Sequence, residues 1–417
     1  MNILFLSLGR YKSVNEEGIY TDLLREFINH GHNVTILSSM EIKEKNTLPI
    51  IEEKNCMIVR VFTGKIQKTN IIEKGINTIL IETRYKNAIK KYLKKISYDL
   101  VLYPTPPITL VSAVQYVKKR DNATSYLLLK DIFPQNAVDI GMLRKTGIKG
   151  VLYKYFRLKE KKLYRVSDYI GCMSPANKEY LLRHNSEINA VKVMECPNSI
   201  ETVDKSVNFE VRKEIRNKYQ IPMDKKVFVY GGNLGKPQGI DFLIKCMYSQ
   251  RNNNKVYFII VGDGTEYGKL EQFFEEHSQN NLKLMKRLPK EDYDALVACC
   301  DVGMIFLDHR FTIPNFPSRL LSYMQTKLPV LAVTDINTDV GKVIVEGGFG
   351  WWCESSHIQD FSDKIGKILT SDIENMGENG FMYLKKHFST KDGYLKIMNC
   401  LENGDKGEKN TVWENGK

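Results

Sequence analysis

The sequence predicts an α/β protein made of two doubly wound, Rossmann-like domains facing a central crevice. Three observations predict it. Apolar runs of strand length alternate with helical patterns along the chain, as parallel sheets with crossover helices require. The alternation halts at one polar stretch, residues 196–212, and then starts afresh. The length of 417 residues exceeds the roughly 250 to 300 at which a single core stops growing, so two cores are expected.

In chain order, strands are expected at "NILFLS" (2–7), "NVTILS" (33–38), "MIVRVF" (57–62), "DLVLY" (99–103), "SYLLL" (125–129) and "DYIGCM" (168–173). Each is short and rich in β-branched, leucine or aromatic residues, with helix-period segments between. The second half restarts with "KVFVYGG" (226–232), "VYFIIVG" (256–262), "NLKLM" (281–285), "DVGMIF" (301–306) and "LPVLAV" (328–333). The polar stretch "CPNSIETVDKSVNFEVR", with its Pro-Asn-Ser turn, is the expected linker. Domains are therefore placed at 1–200 and 201–390, with 391–417 as a C-terminal helix and loose tail.

No run approaches the 18 apolar residues of a spanning helix, and the first strand lacks the basic start of a signal peptide, so a cytoplasmic protein is expected. Eight cysteines without a CxxC pair and seven histidines without an HExxH pattern predict reduced thiols and no metal site. The net charge of +12 is unevenly placed: residues 1–200 carry 32 Lys/Arg against 19 Asp/Glu, residues 201–417 carry 29 against 30. The first half is thus expected to face something anionic, a membrane surface or nucleic acid. No helix-turn-helix, RNP-like or zinc-finger signature supports nucleic acid. Segment 144–165 has nine Lys/Arg and one Glu, with Ile148, Val151, Leu152, Tyr155 and Phe156 at helical spacing, and segment 65–96 mixes Ile patches with Lys clusters. Each fits docking on an anionic leaflet, and equally a core helix with a solvated basic face.

Three loops at strand ends carry anion chemistry. In "YGGNLGKPQGIDFLI" (230–244), Gly231, Gly232 and Gly235 allow a tight turn, and a helix starting near Gly239 aims its first amides back at the loop. An ordinary turn reads the same way. "VGDGTEYGKLE" (261–271) repeats the arrangement with Gly262 and Gly264. In "IPNFPSRLL" (313–321), Ser318 and the amides of Arg319 to Leu321 open a helix, and the Arg319 guanidinium can neutralise a phosphate. Without GxxxxGK[ST], and without GxGxxG after the first strand, the expected ligand is a nucleotide diphosphate, not a triphosphate or a redox dinucleotide.

With these residues in hand the chain resembles the retaining glycosyltransferases of the GT-B fold, specifically family 4. The resemblance rests on the order of "GHNVTIL" (31–37), "MSPANKEYL" (173–181), "CPNSI" (196–200), "YGGNLGKPQG" (230–239), "VGDG" (261–264), "LPKEDYDALVACCDVGMI" (288–305) and "PSRLLSYMQTKLPVLA" (317–332). "KDIFPQNAVDIGML" (130–143) is similar to bacterial capsule, O-antigen and exopolysaccharide enzymes, including N-acetylfucosamine-type transferases. Two departures stand out. The family's paired glutamates fall on Pro314 and Ser322, and its glycine-loop Arg and Lys fall on Asn233 and Gln238.

The resemblance implies a transferase that moves a sugar, N-acetylated or deoxy, from a nucleotide diphosphate donor, with UDP the expected nucleotide. It implies retention by front-face attack, without a metal or other cofactor, onto a glycan carried by polyprenyl diphosphate at the inner face of the plasma membrane. The diphosphate would meet Gly232, Asn233, Leu234, Gly235, Gln238, Ser318, Arg319 and Leu320. Base and ribose would meet Gly262, Asp263, Arg287, Leu288 and Ser322, and the donor sugar Asn315, Phe316 and Pro317. Asp131 and Arg319 are the catalytic candidates, although Asp131 also suits a helix cap before Pro134. Glu16, Glu17, Gly18, Lys130, Gln135 and Asn136 are the acceptor candidates. A retaining glycosidase would need two carboxylates about 5 Å apart, which the 313–330 stretch does not supply. The lost charges leave room for a catalytically silent, membrane-associated nucleotide-sugar-binding subunit, and the fold for a nucleotide-sugar epimerase.

Overall fold

The computed structural model describes residues 1–41, 49–64, 71–277 and 280–414. It divides into two compact units, Met1–Glu201 with Ser389–Lys417, and Thr202–Phe388.

The first unit holds β1 (Asn2–Leu6), β2 (Asn33–Met40), β3 (Ile50–Glu53), β4 (Cys56–Phe62), β5 (Leu100–Pro104), β6 (Thr124–Leu129), β7 (Tyr169–Cys172) and β8 (Val193–Glu195). They form one sheet in the order β3-β4-β2-β1-β5-β6-β7-β8, parallel except for the β3–β4 pair. Helices cover both faces, so alternate residues of β1 enter different cores. Leu4 and Leu6 pack with Tyr85, Ile89 and Leu163, while Ile3 and Phe5 pack with Leu24, Phe27 and Ile397. Burial on both faces is what makes such strands nearly continuous apolar runs. The final helix, Thr390–Glu414, returns to this unit: the Tyr394 ring lies 4.9 Å from Phe27 and 4.1 Å from His30, centroid to centroid. Its backbone is helical through most of the segment expected as a loose tail.

The second unit holds β9 (Lys226–Asn233), β10 (Val256–Asp263), β11 (Leu282–Lys286), β12 (Val302–Phe306), β13 (Val330–Thr334) and β14 (Gly350–Glu354), all parallel in the order β11-β10-β9-β12-β13-β14. Strand order reverses between β9 and β12, the position at which doubly wound sheets open a crevice. These two strands pair only at Val302↔Phe228 and Gly303↔Val229, and then part. Within the range expected as a linker, Ile200 bridges Ser389 and the helix Phe209–Lys218 begins.

That helix is tied to the sheet by Asp301, whose carboxylate accepts from Arg212, from Arg216 and from the Val227 amide at 2.6 Å. Arg216 is 3% exposed. Asp301→Ala should therefore cost about 3 to 5 kcal/mol, because it strands a buried guanidinium. An unchanged urea midpoint would refute this.

Candidate active site

Within the second unit, the loops that follow β9, β10 and β12 are laced together at one edge of the sheet. The Leu234 amide donates to the Asp263 carbonyl at 3.0 Å, and the Leu234 carbonyl accepts from the Glu266 amide at 2.9 Å. On the other side, the Asp308 amide donates to the Pro237 carbonyl at 3.0 Å. Leu234 thus spends its backbone on the loop and buries its side chain completely, a scaffold role in place of the expected phosphate contact. Asn233 and Gln238 are bonded to each other, Nδ2 to Oε1 at 2.8 Å, and Gln238 Oε1 also accepts from the Gly235 amide at 3.2 Å. Two cations at these positions could not make that bond.

Of the expected turn glycines in this loop, only Gly232, at φ +121°, needs the left-handed region. Gly231 stays in the strand, and its reason is space, since a Cβ there would fall 2.2 Å from the Tyr293 hydroxyl. Gly262 and Gly264 are likewise close-approach residues, pressed against the carbonyls of Gly232 and Leu234.

Arg319 sits beside Gly232, whose Cβ, if present, would lie 3.5 Å from Nη2. The guanidinium lies over the Tyr230 ring, 4.4 Å from its centroid, and its titratable neighbours are Tyr230, Tyr323 and Tyr293. Nη1 is buried with no hydrogen-bond partner among the described residues. A cationic nitrogen left buried without a partner is expensive, which makes this position a candidate for receiving an anion. Below it, where β9 and β12 part, the Tyr323 hydroxyl reaches the carbonyls of Val229 at 3.3 Å and Met304 at 3.1 Å. Tyr323 occupies the space left by Gly303.

The expected amide grip at Ser318 to Leu321 is narrower than the sequence suggested. Leu320 donates to the Pro317 carbonyl and Leu321 to that of Ser318, which closes the turn on itself. Leu320 is fully buried. Phe316 is also turned inward, 5.8 Å from Phe388, so only its backbone remains for a sugar. Asn315 accepts from Thr338, and Pro317 is half-buried. Ser322 is half-buried one turn into the helix Arg319–Gln325. Asp263 and Arg287 are exposed and Leu288 half-buried, at the ends of β10 and β11.

In the first unit the acceptor candidates lie beyond the ends of β1 and β6. Arg25 organises the first loop, with Nη1 donating to the Val14 carbonyl at 2.7 Å and the Glu16 carbonyl at 3.0 Å while Nη2 binds Asp22. Asp22 in turn accepts from the Gly18 amide at 2.9 Å, and Glu16 and Glu17 remain exposed. Beyond β6, Thr105 Oγ1 accepts from the amides of Lys130 and Asp131 and donates to the Asp131 carbonyl. Burial pushes the Asp131 carboxyl up to about 6, against hydrogen bonds from Asn136 Nδ2, at 2.7 Å, and the Ile132 amide. Burial pulls the Lys130 ammonium down to about 8, with Nζ donating to the Cys196 carbonyl at 2.8 Å. Gln135 Nε2 donates to Asp139 at 2.6 Å. The sequence reading missed Tyr230, Tyr293 and Tyr323. Its one available signal was the spacing of Arg319 and Tyr323, four residues apart on a helix.

Residues 211–381 match the family model of group 1 glycosyl transferases. That match lies within the second unit, and the chain is a glycosyltransferase. A probable glycosyltransferase of Pseudomonas aeruginosa, WbjE, is 26% identical over 310 residues, 73% of this chain and 74% of the relative. A putative colanic acid biosynthesis glycosyl transferase of Escherichia coli, WcaI, is 34% identical over 132 residues, 31% of each chain. Among solved structures, Anabaena HepE in complex with UDP superposes with a TM-score of 0.68 at 15% identity, over 97% of this chain and 100% of that one. At that identity the likeness establishes the fold, which is GT-B.

The raised Asp131 carboxyl gives the glycosyltransferase a pH signature. Its protonated form is favoured in the fold, so its contribution to stability is lost as pH rises from the unfolded carboxylate value of about 3.9 towards about 6. Asp131→Asn, neutral throughout, should gain melting temperature relative to wild type across that window and level off above it. A difference that stays flat from pH 4 to 7 would overturn the assignment.

Proposed function

We propose that the protein transfers a sugar from a UDP-linked donor, with retention, to a hydroxyl of a lipid-linked glycan in surface-polysaccharide synthesis. The observation that carries this reading is the Arg319 guanidinium, with Nη1 buried and no carboxylate partner among the described residues, next to the positive-φ Gly232 of the β9 loop. As the bond between the anomeric carbon and the phosphate oxygen breaks, charge develops on the leaving diphosphate. A fixed cation in a water-poor site stabilises it. The acceptor oxygen attacks from the face the diphosphate leaves, and its proton passes to a phosphate oxygen. This chemistry needs no protein nucleophile and places no demand on Pro314 or Ser322. The UDP bound by HepE supports the choice of nucleotide, and the colanic acid relative supports the setting. We assign the donor sugar to the backbone of Asn315 to Pro317, the base and ribose to Gly262, Asp263, Arg287, Leu288 and Ser322, and the acceptor to Asp131, Lys130, Gln135, Asn136 and the Glu16–Gly18 loop.

The membrane part of this reading rests on the helix Gly147–Val166. Its second half is anchored by buried Glu160, Leu163 and Tyr164, while Ile148 is 93% exposed and Val151 70%. The sequence pattern allowed the face carrying Ile148, Val151 and Leu152 to bury, and the structure instead turns it outward among Arg144, Lys145, Lys149 and Lys154. Exposed apolar side chains in a stretch that also carries exposed cations suit an anionic leaflet. No helix among the described residues is long and apolar enough to cross a membrane. The second basic segment lies partly outside the described residues, and of its remainder Ile79 and Leu80 are exposed.

Melting curves of wild type and Arg319→Gln with UDP, GDP, dTDP and CMP test the donor site. Stabilisation by UDP, lost in the variant, is expected, because a ligand of the folded state must raise its melting temperature. A flat response to every nucleotide would sink the reading. Separately, Ile148→Asp/Val151→Asp should reduce sedimentation with phosphatidylglycerol vesicles at least several-fold without changing UDP binding. Equal sedimentation would remove the helix from the membrane contact.

A further inference from the structure

We infer that Tyr230 is a positioning residue for the donor diphosphate, fixing Arg319 and the β9 loop in one geometry. The inference rests on the reading of Arg319 as the cation that receives that diphosphate.

Tyr230 touches both halves of the site, which come from distant parts of the chain. Its ring lies under the Arg319 guanidinium at 4.4 Å, and its hydroxyl donates to the Asn233 carbonyl at 2.9 Å. The ring itself is fully buried in β9, paired with Ile260 of β10, and has no freedom to follow a moving loop. The neighbouring tyrosines cannot substitute. The Tyr323 hydroxyl is held by the carbonyls of Val229 and Met304, and that of Tyr293 lies over Gly231. Tyr230 joins the cation to the loop.

The choice of an aromatic partner has an electrostatic consequence. A carboxylate beside Arg319 would orient it equally well, but would neutralise the charge and compete with the phosphate. The π-face attracts a guanidinium through its quadrupole and leaves the full unit of charge for a ligand. The Asn233–Gln238 pair is neutral and the loop's own cation, Lys236, is exposed, so Arg319 is the charge held in place beside the loop by an aromatic ring. The tyrosine thus orients the guanidinium and keeps it unneutralised.

The test is calorimetric binding of UDP, GDP, dTDP and inorganic pyrophosphate, with UMP, GMP and dTMP beside them, to wild type, Tyr230→Phe, Tyr230→Leu and Arg319→Gln. Melting temperature and circular dichroism of each variant establish folding. Tyr230→Phe keeps the ring and loses the hydroxyl, so diphosphate affinity should fall about 2- to 12-fold, the range of one neutral hydrogen bond. Tyr230→Leu should fall further and lose most of the preference for the nucleoside diphosphate over its monophosphate. That ratio is the deciding readout, since a merely structural residue would lower the melting temperature and leave it unmoved. Should Tyr230→Leu fail to fold, the Phe variant and its ratio still decide. Diphosphate binding that Arg319→Gln loses and both Tyr230 variants retain would overturn the inference and leave the donor site standing. A wild type that binds none of the seven probes would overturn both.

Discussion

The second unit is organised around one uncompensated charge. Where β9 and β12 part, Arg319 has no carboxylate partner among the described residues, and its neighbours are shaped around it. Removing a guanidinium from water without a counter-charge costs several kcal/mol, so every neighbour must contribute. Tyr230 supplies a π-face, Gly232 leaves open space beside Nη2, and Gly231 and Gly303 are small so that Tyr293 and Tyr323 can close the floor. A bulky residue at any of these three glycines would displace either the cation or its seat. The strands beside it are buried over most of β9 and all of β12.

Because the loops are bonded to each other within the unit, the site does not have to be assembled by its ligand. The β9 loop is pinned to β10 through Leu234 and to β12 through Asp308, and its own Asn233 and Gln238 close it. The charge fixed beside this loop is that of Arg319, whose Nη1 is buried, while Lys236 within the loop is exposed. A guanidinium that is already desolvated and oriented loses less on binding than flexible surface cations would, since neither water nor rotamer freedom has to be given up at that moment. The acceptor candidates of the first unit are built by the same logic. Thr105 fixes the backbone of Lys130 and Asp131, and Arg25 gathers the loop after β1, so functional side chains rest on hydrogen-bonded turns.

The two-sheet fold was legible because buried parallel strands must be apolar on both faces, and every strand expected from the sequence formed. The missed strands lacked that signature. β3, "IIEE", is an antiparallel edge strand with two acidic residues; β8 has three residues; and β14, "GWWCE", begins with glycine and is only partly apolar. The site was legible by chemical type and not by contact. Arg319 was visible as a cation near glycine loops, but a glycine read as a turn and a glycine making room for a tyrosine look identical in one dimension. Tyr293, Tyr323 and Gly231 meet only after the sheet has closed. The inward turn of Phe316 is equally non-local, since its partner Phe388 lies 72 positions later.

The helix Gly147–Val166 shows a further limit of periodicity, because one amphipathic pattern serves two environments along its length. Its C-terminal half is fastened by Arg157, which binds the buried Glu160 and donates to the His184 carbonyl at 2.9 Å and Asn185 Oδ1 at 2.6 Å. Tyr164 also donates to Glu160, and Lys159 binds Glu82. Breaking a buried, hydrogen-bonded charge network is costly, so this end stays put. Among the described residues the N-terminal half has no comparable charge network, and its Ile148 and Val151 stay exposed. Helix rigidity transmits the fixed end to the free end, which lets apolar side chains be held out in solvent without loosening the unit that carries them. The exposed apolar stripe is thus a consequence of how the far end is fastened, and Arg144, Lys145, Lys149 and Lys154 lie in the same stretch of sequence.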